Sequence, residues 1–308
     1  MTLDSRITLH KLEVFERVVA LESVTRAAEE LLVAQPVVSA HIRSLEERVG
    51  TKLFYRDGRQ LELTEAGHAV HGWVVDVLTH TRELSRQLDG LLDGSRGSVA
   101  IGSSMSIGSY ILPSILAEFR RERPRVQIRL DVLDTDLAIR ATEAGETDFA
   151  IVFAGREPAR GALVGERIGE ERLVLVTAPE AEPRAEMVEV EDVARLSFID
   201  SDREHIRQRL IDQQLRRLGV ERRHVAMRLG HPEAMKRAVR DGVGVAVLLQ
   251  SGVADELAAG TLRRVEIRGA RLGIPIYAIH RRRKSLSASQ RDLLALIRER
   301  ISTRLIAS

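Results

Sequence analysis

The sequence predicts an α+β multidomain protein: a small helical unit with a hairpin, then one long helix, then an α/β region. Three observations carry this expectation. Residues 23–67 hold two short amphipathic segments separated by a tight turn and followed by a hairpin pattern. Residues 68–92 keep one helical period with no proline. From Val99 onward, short apolar runs alternate with helical patterns, the rhythm of strands connected by helices. A chain of 308 residues fits about two domains of ordinary size.

Leu9, Leu12, Phe15 and Val19 give a first amphipathic helix, expected to pack behind the pair that follows. Thr25 is expected to cap the next helix, with Ala28, Leu31 and Leu32 on one face. Gln35 and Pro36 open a further helix, where proline is tolerated because a first-turn amide has no helical partner. Val38, Ile42, Leu45 and Val49 then recur as one apolar stripe. The opposite face carries Gln35, Ser39, Ala40 and Arg43, small residues beside groups that can pair with adenine and guanine edges. Beyond Gly50, Leu61 and Leu63 alternate, Asp57-Gly58 signals a hairpin turn, and Arg56 and Arg59 flank it.

Spacing alone leaves two readings open, a helix pair that is only core and one that enters a DNA groove. The full string closely resembles the N-terminal domain of LysR-type transcriptional regulators through RAAE, QP, VS, LEERVG, LF, R and LTEAG. The resemblance implies a winged helix-turn-helix over residues 1–67 that binds double-stranded DNA. It implies contacts from Thr25, Arg26, Gln35, Pro36, Val37, Ser39, Ala40, His41, Arg43, Arg56 and Arg59. Three positions depart from the family pattern. Ala34 stands where Ser or Thr commonly caps the recognition helix, Val37 where Ala is common, and His41 where Gln is common. These put the operator sequence in doubt rather than the fold.

Over residues 68–92, Val70, Val74, Val77, Thr81, Leu84, Leu88 and Leu91 are spaced by four and three, a heptad seam suited to a coiled coil. The alternative is an amphipathic helix lying on its own domain. The resemblance implies a linker helix that dimerises the DNA-binding units. Thr81 weakens the seam's centre, and Trp73, just off it, is expected to be packing. Residues 93–97, DGSRG, read as a hinge.

After the hinge, strands are expected at VAIG, VQIRLDVL, DFAIVF, RLVLVTA, LSFID, HVAMRL, VGVAVL, LRRVEI and IPIYAIH. Helices are expected over residues 107–122, 136–144, 204–218, 234–239 and 287–301, and the alternation suggests a parallel sheet. The layout looks like the family's effector domain, a two-lobed fold resembling type 2 periplasmic binding proteins. That implies an effector-binding domain over residues 98–308, with one lobe from about 98–160 and 269–301 and the other from about 161–268. The chain would cross between lobes near 155–165 and near Gly269. In open α/β folds, ligands collect beyond the carboxyl ends of strands. By resemblance, Ser106 and Thr135 match first-lobe effector positions, with Ser104 in the same serine-rich loop, and Ser201, Arg203, His205 and His231 are second-lobe candidates. The alternative is that these hydroxyls simply cap helices. Asp134, Asp200 and Asp202 argue against a multiply charged anion unless Arg203 or His205 offsets them.

Formal net charge is only +2, so any DNA-facing patch must be local. No cysteine occurs, which removes disulfides, thiolate metal sites and thiol redox sensing. No apolar run reaches the roughly 20 residues of a membrane span. The first residues lack a signal peptide's apolar core, so a cytoplasmic protein is expected. No catalytic constellation is evident. GSSMS is not a nucleophile elbow, no phosphate loop occurs, and Gly242-Val243-Gly244 lacks the third glycine of a dinucleotide fingerprint. His68 and His71 alone make a poor metal site, and Glu170-Glu171 and the run over residues 281–284 read as solvated surface. The expectation is a bacterial, cytoplasmic transcriptional regulator, not an enzyme. It would have no metal or cofactor beyond a small-molecule effector, and would act as a homotetramer (a dimer of dimers) with RNA polymerase as a possible partner. The competing expectation is a solute-capturing C-terminal module with an N-terminal protein-docking unit.

Overall fold

The structure, a computed structural model, describes residues 7–58, 60–93, 97–157, 162–203, 205–282 and 284–306. Arg59, Glu204, Arg283, the side chain of Leu91 and residues 94–96 of the expected hinge lie outside the described residues.

Helices α1 (Leu9–Leu21), α2 (Val24–Glu30) and α3 (Gln35–Val49) form the N-terminal unit. Their apolar stripes meet in one core of Leu12, Phe15, Val18, Ala28, Val38, Ile42 and Leu45. The cap of α2 is Ser23, not Thr25: Ser23 is extended and its Oγ accepts the amide of Arg26 at 3.2 Å, which leaves Thr25 exposed in the first turn. Ala34 takes the cap position of α3 and offers no side-chain acceptor, with Pro36 in the first turn. The turn between α2 and α3 places Leu32 at φ +55° and leaves it 92% exposed.

Strands β1 (Phe54–Asp57) and β2 (Gln60–Leu63) form the hairpin. Asp57 pairs with Gln60, so the turn lies between them, and Gly58 adopts φ +60°. Glu46 on the buried side of α3 fastens this wing. Its carboxylate accepts the amide of Leu53 at 2.9 Å and pairs with Lys52 at 2.7 Å.

The long helix α4 runs over Glu65–Asp93 and begins before His68, because Thr64 caps it. The Thr64 hydroxyl accepts the amide of Gly67 at 2.9 Å and donates to the carbonyl of Lys52 at 2.8 Å. The expected seam divides along α4. Val74 and Leu78 are buried in the N-terminal core, with Val70, Trp73 and Val77 packed against it, so the first half lies on its own unit. Leu84 and Leu88 remain 55% and 51% exposed.

The C-terminal region is a mixed sheet rather than a parallel one. β3 (Ser98–Ser104), β4 (Gln127–Leu133) and β5 (Phe149–Phe153) pair in parallel, with β3 in the middle. The helix expected over 107–122 is broken into α5 (Met105–Tyr110) and α6 (Leu112–Glu122). Pro113 in the first turn of α6 supplies no amide to continue the hydrogen-bond ladder of α5. Helix α7 (Thr135–Glu143) joins β4 to β5.

The chain passes between lobes inside strands, not at glycine turns. β6 runs over Leu163–Thr177, of which the sequence pattern shows only the second half. The second lobe continues with β7 (Met187–Val188), α8 (Val190–Val193), β8 (Ser197–Asp200), α9 (Ile206–Arg217) and β9 (His224–Arg228). It ends with α10 (Pro232–Arg240), β10 (Ala246–Leu249), α11 (Ala254–Ala258) and β11 (Arg263–Ile267). β12 (Leu272–Arg281) then pairs antiparallel with β6 from Leu272↔Leu173 to Arg281↔Leu163, and its second half also pairs with β5. β10 and β11 add antiparallel to the far half of β6. The final helix, α12 (Ala288–Ile306), packs back on the first lobe.

Two charge runs expected on the surface are partly internal. Lys284 and Asp148 form a buried ion pair at 2.7 Å, and buried Arg281 donates to Thr79 on α4. Glu171 is buried and accepts the amide of Ser251 at 2.8 Å.

The close approach at Gly67 yields a prediction. A Cβ there would stand 2.1 Å from the carbonyl oxygen of Leu53, so backbone must shift. We expect Gly67→Ala to destabilise the N-terminal unit by about 1–3 kcal/mol, as overpacking does. Thermal denaturation reads this directly, and an unchanged melting temperature would contradict the packing described.

Candidate functional site

Two surfaces stand out: the outer face of α3 and the cleft between the lobes. On α3, burial of Val38, Ile42, Leu45 and Val49 turns Gln35, Pro36, Val37, Ala40 and Arg43 to the exterior, with Ser39 half-buried. Leu32, Val33 and Val37 are exposed apolar side chains around the start of this helix. Val33 was not singled out from sequence, and Leu32, expected on one face with Ala28 and Leu31, stands exposed instead. Thr25 and Arg26 are exposed on α2, where the guanidinium of Arg26 donates to the carbonyl of Leu21. Arg56 is exposed on the wing. His41 is half-buried and shared with α1: its ring meets that of His10 edge-on at 5.0 Å. Desolvation, with His10 and Lys11 nearby, pushes its pKa below the usual histidine value, so it stays neutral at pH 7.

The second surface is a cleft of about 380 Å³ at the carboxyl ends of β3, β4 and β5, closed from the other side by the second lobe. Its first-lobe wall carries Ser104, Ser106, Thr135 and Phe153, and its second-lobe wall His205, Ile206, Arg207 and Pro232. Of the residues expected from sequence, Ser104, Ser106, Thr135 and His205 therefore meet here. The structure does not bring the other three to the cleft wall. Ser201 is buried, and its amide and hydroxyl both donate to Gln208 Oε1, at 3.0 and 3.2 Å. Arg203 is exposed outside the cleft. His231 caps α10, with Nδ1 accepting the amide of Glu233 at 3.2 Å.

The acidic residues also separate. Asp200 is buried beneath the wall and held by Arg223 at 2.6 Å, a guanidinium that also reaches Asp212 at 2.6 Å. Burial pushes the Asp200 pKa up while Arg223 pulls it down, with a net rise. Asp134 and Asp136 line the mouth and are exposed, and Arg140 and Arg209 line it too. Arg207 was missed from sequence. The signal was present, because Arg207 shares the buried face of α9 with Leu210, Ile211 and Leu215, an unusual place for a cation.

A polar clasp joins the lobes beside the cleft. Tyr110 at the end of α5 donates to Glu233 of α10 at 2.6 Å. Lys236 pairs with Glu233 at 2.8 Å and with Glu256 at 2.7 Å, and its Nζ lies 5.4 Å from the centre of the Tyr110 ring. Burial and the hydrogen bond to Glu233 push the Tyr110 pKa up, so its hydroxyl remains a donor. Burial alone would raise the Glu233 pKa, but Lys236 and Tyr110 hold it below the usual value. Among the described residues, no group of three or more His, Cys, Asp or Glu is placed to hold a metal ion. No helix there is long and apolar enough to cross a membrane.

Comparisons with known proteins agree with this layout. Residues 9–68 match the family described as bacterial regulatory helix-turn-helix protein, lysR family, and residues 92–302 match the LysR substrate binding domain. A probable RuBisCO transcriptional regulator of Cyanidioschyzon merolae is 32% identical over 281 residues, covering 90% of this chain and 92% of that one. The uncharacterized HTH-type transcriptional regulator YeiE of Escherichia coli K12 is 31% identical over 288 residues, covering 94% and 96%. Among solved structures, ArgP from Mycobacterium tuberculosis superimposes with a TM-score of 0.63 at 21% identity, covering 95% of this chain and 96% of that one. HinK, a LysR family transcriptional regulator from Pseudomonas aeruginosa, gives 0.60 at 21%, covering 96% and 99%. At these identities the two structures speak for the fold.

The clasp sets a test. Tyr110→Phe removes one inter-lobe hydrogen bond and should lower stability at pH 7 by about 0.5–1.5 kcal/mol. Because the Glu233 pKa is depressed, its contribution is full above the ordinary glutamate range and is lost as pH falls through the folded value. The gap in melting temperature between wild type and Tyr110→Phe should therefore narrow from pH 7 to pH 4. A gap that widens on acidification would rule out the clasp.

Proposed function

We propose that this chain, which belongs to the LysR family of bacterial transcriptional regulators, reads an interrupted palindrome as a homo-oligomer and is gated by a small molecule between its lobes. As a member of that family it is a DNA-binding regulator and not an enzyme. The observation that carries the operator reading is the outer face of α3, where small and groove-compatible side chains stand clear of the core. In this reading α3 enters the major groove. Gln35 addresses adenine, Arg43 guanine, and Val37 with its apolar neighbours a thymine methyl. Neutral His41 serves as a donor or acceptor at a base edge, Ser39 and Ala40 allow close approach, and Thr25, Arg26, Pro36 and Arg56 meet the sugar-phosphate backbone. Arg59, beside the wing turn in sequence, would join Arg56.

A second copy would cover Leu84 and Leu88 on α4, spacing two recognition helices for the two half-sites. Pairing of effector domains would then give a dimer of dimers, with RNA polymerase recruited at the promoter in the cytoplasm.

Gating needs a mechanical route from cleft to DNA unit, and α7 supports one. Thr135 opens this helix in the cleft. Immediately beyond its other end, Ala144 accepts a hydrogen bond from Arg82 of α4 at 2.8 Å. Glu146 faces Arg17 of α1 at 3.8 Å, and Arg17 also pairs with Glu30 at 3.2 Å. A Cβ on Gly145, which has φ +76°, would collide with Thr79, so the junction is tightly fitted. A helix of this length is a rigid rod of roughly 13 Å. A ligand that favours one lobe arrangement would move α7 against α4 and α1, provided its affinity differs between the two arrangements.

Two measurements test this. With a selected operator, Arg43→Ala should lose about 1–3 kcal/mol of discrimination at one base pair, whereas Arg56→Ala should weaken all sequences and reduce the salt slope by about one. Loss of discrimination spread evenly over the site would remove Arg43 from base reading. For gating, a metabolite that stabilises the protein in a thermal-shift screen is titrated into operator-bound wild type and Arg82→Ala. The variant should bind the metabolite normally while its operator affinity stops responding. An undiminished response would discard α7 as the route.

A further inference from the structure

A further cavity, of about 870 Å³, lies between the N-terminal unit and the first lobe. α1 and the hairpin line one side, and α7 with the turn after it lines the other. Glu16 of α1 lines this cavity and is only 4% exposed. Among the described residues its carboxylate makes no hydrogen bond and no ion pair. The cations nearest to it are engaged elsewhere. Arg17 pairs with Glu30 at 3.2 Å and faces Glu146 at 3.8 Å, while Arg82 donates to the carbonyl of Ala144 at 2.8 Å. Three carboxylates, Glu16, Glu30 and Glu146, thus share two cations, Arg17 and Arg82, and the group is one positive charge short. Burial is the largest influence on Glu16 and pushes its pKa up, a direction that the two arginines do not reverse.

The rest of the wall deepens this deficit. Glu143, the last residue of α7, also lines the cavity, half-buried, and burial pushes its pKa up too. Arg26 is turned to the carbonyl of Leu21, and Arg140 is exposed. His71 supplies no charge at pH 7, because burial and His68 keep its pKa below the usual value. Between the carboxylates the surface is apolar: Phe54, Leu61 and Leu63 come from the hairpin, and Leu133, Leu137 and Ala141 from the first lobe. Leu137 is 46% exposed.

A carboxylate held out of water without a counter-charge is costly. A cation bearing N–H donors relieves that cost through charge-assisted hydrogen bonds. A metal ion suits the site poorly, since among the described residues no three His, Cys, Asp or Glu are placed to hold one. The apolar surface calls for an organic body instead.

We infer that this cavity takes a small organic cation, an amine or amidine with an apolar body, its charge on Glu16 and its body against the hairpin and α7 leucines. Such a ligand touches α1 and the hairpin on one side and α7 on the other, so it braces the DNA-binding unit against the first lobe. The assignment does not depend on the inter-lobe cleft binding an effector. Leu133 and Leu137 line both cavities, so a cleft variant is needed to tell the two apart.

The test uses the full chain and pairs of compounds alike in shape but not in charge: benzamidine with benzamide, and benzylamine with benzyl alcohol. Magnesium and sodium chloride serve as inorganic cations. Binding is followed by thermal shift and calorimetry in wild type, Glu16→Gln, Glu16→Asp and Glu143→Gln. Benzamidine or benzylamine should bind wild type roughly tenfold or more tighter than its neutral partner. Glu16→Gln keeps the side chain's shape and removes its charge, so that preference should vanish. Glu16→Asp should be intermediate, and Glu143→Gln should lose a smaller factor. Without ligand, Glu16→Gln should melt at the wild-type temperature or above, because it removes an uncompensated buried charge.

Cations binding Glu16→Gln and wild type alike would overturn the assignment, as would no cation binding up to about 10 mM, weaker than most specific affinities. A lower melting temperature for ligand-free Glu16→Gln would also overturn it, by showing that the protein itself answers this charge. Equal shifts from magnesium or sodium would reduce the effect to screening of acidic surface and overturn it as well. Loss of benzamidine binding in Ser106→Ala but not in Glu16→Gln would move the cation to the inter-lobe cleft and overturn the site proposed.

Discussion

The antiparallel pairing of β6 with β12 is the constraint on which the rest of the C-terminal region depends. Ten register partners run from Leu272↔Leu173 to Arg281↔Leu163, so one ribbon belongs to both lobes. β5 attaches to it on the first-lobe side, and β10 and β11 on the other. The cleft exists because the two halves of this ribbon carry separate lobes. A register irregularity at Ile276/Tyr277 lies where the ribbon changes lobe, and such irregularities add local twist. The ribbon's end also meets the DNA-reading half, since Arg281, its last residue, donates to Thr79 of α4. Lobe geometry and linker position thus share one element.

Around that ribbon, most buried charge is neutralised within the protein. Asp148 answers Lys284 and also accepts the amide of Ala100 at 2.8 Å, tying the first-lobe strands together. Asp200, Asp212 and Arg223 form a closed group over the ring of Phe198, 5.2 Å away. Glu46 does the same service between recognition helix and wing. Among the described residues, Glu16 on α1 and Arg207 on the cleft wall are buried without such an ion pair.

The N-terminal unit shows how the motif residues divide their labour. In LTEAG, Thr64 caps α4 and Gly67 lets the helix touch the backbone of Leu53, while in LEERVG, Glu46 anchors the wing and Gly50 ends α3 at φ +80°. These residues position the outer face of α3 without being part of it. That face carries Gln35, Val37, His41 and Arg43, and the chain departs from common family residues at Val37 and His41.

By itself the sequence determined the local periodicities: the stripe of α3, the long helix, most strands and helices of the α/β region, and the family. These depend on neighbours a few residues apart, which a pattern records. Tertiary structure decided what depends on distant partners. Ser23 rather than Thr25 caps α2, because only Ser23 meets the free amide. The heptad seam of α4 splits, since Val74, with Val70 and Val77, finds the core of its own unit while Leu84 and Leu88 do not. Two charged runs turned inward where Asp148, Thr79 and the amide of Ser251 offered partners. The cleft gathered Ser104, Ser106, Thr135 and His205 but not Ser201, Arg203 or His231. It added Arg207, whose place on an apolar stripe was visible in the sequence, but whose position on the cleft wall only the folded chain reveals.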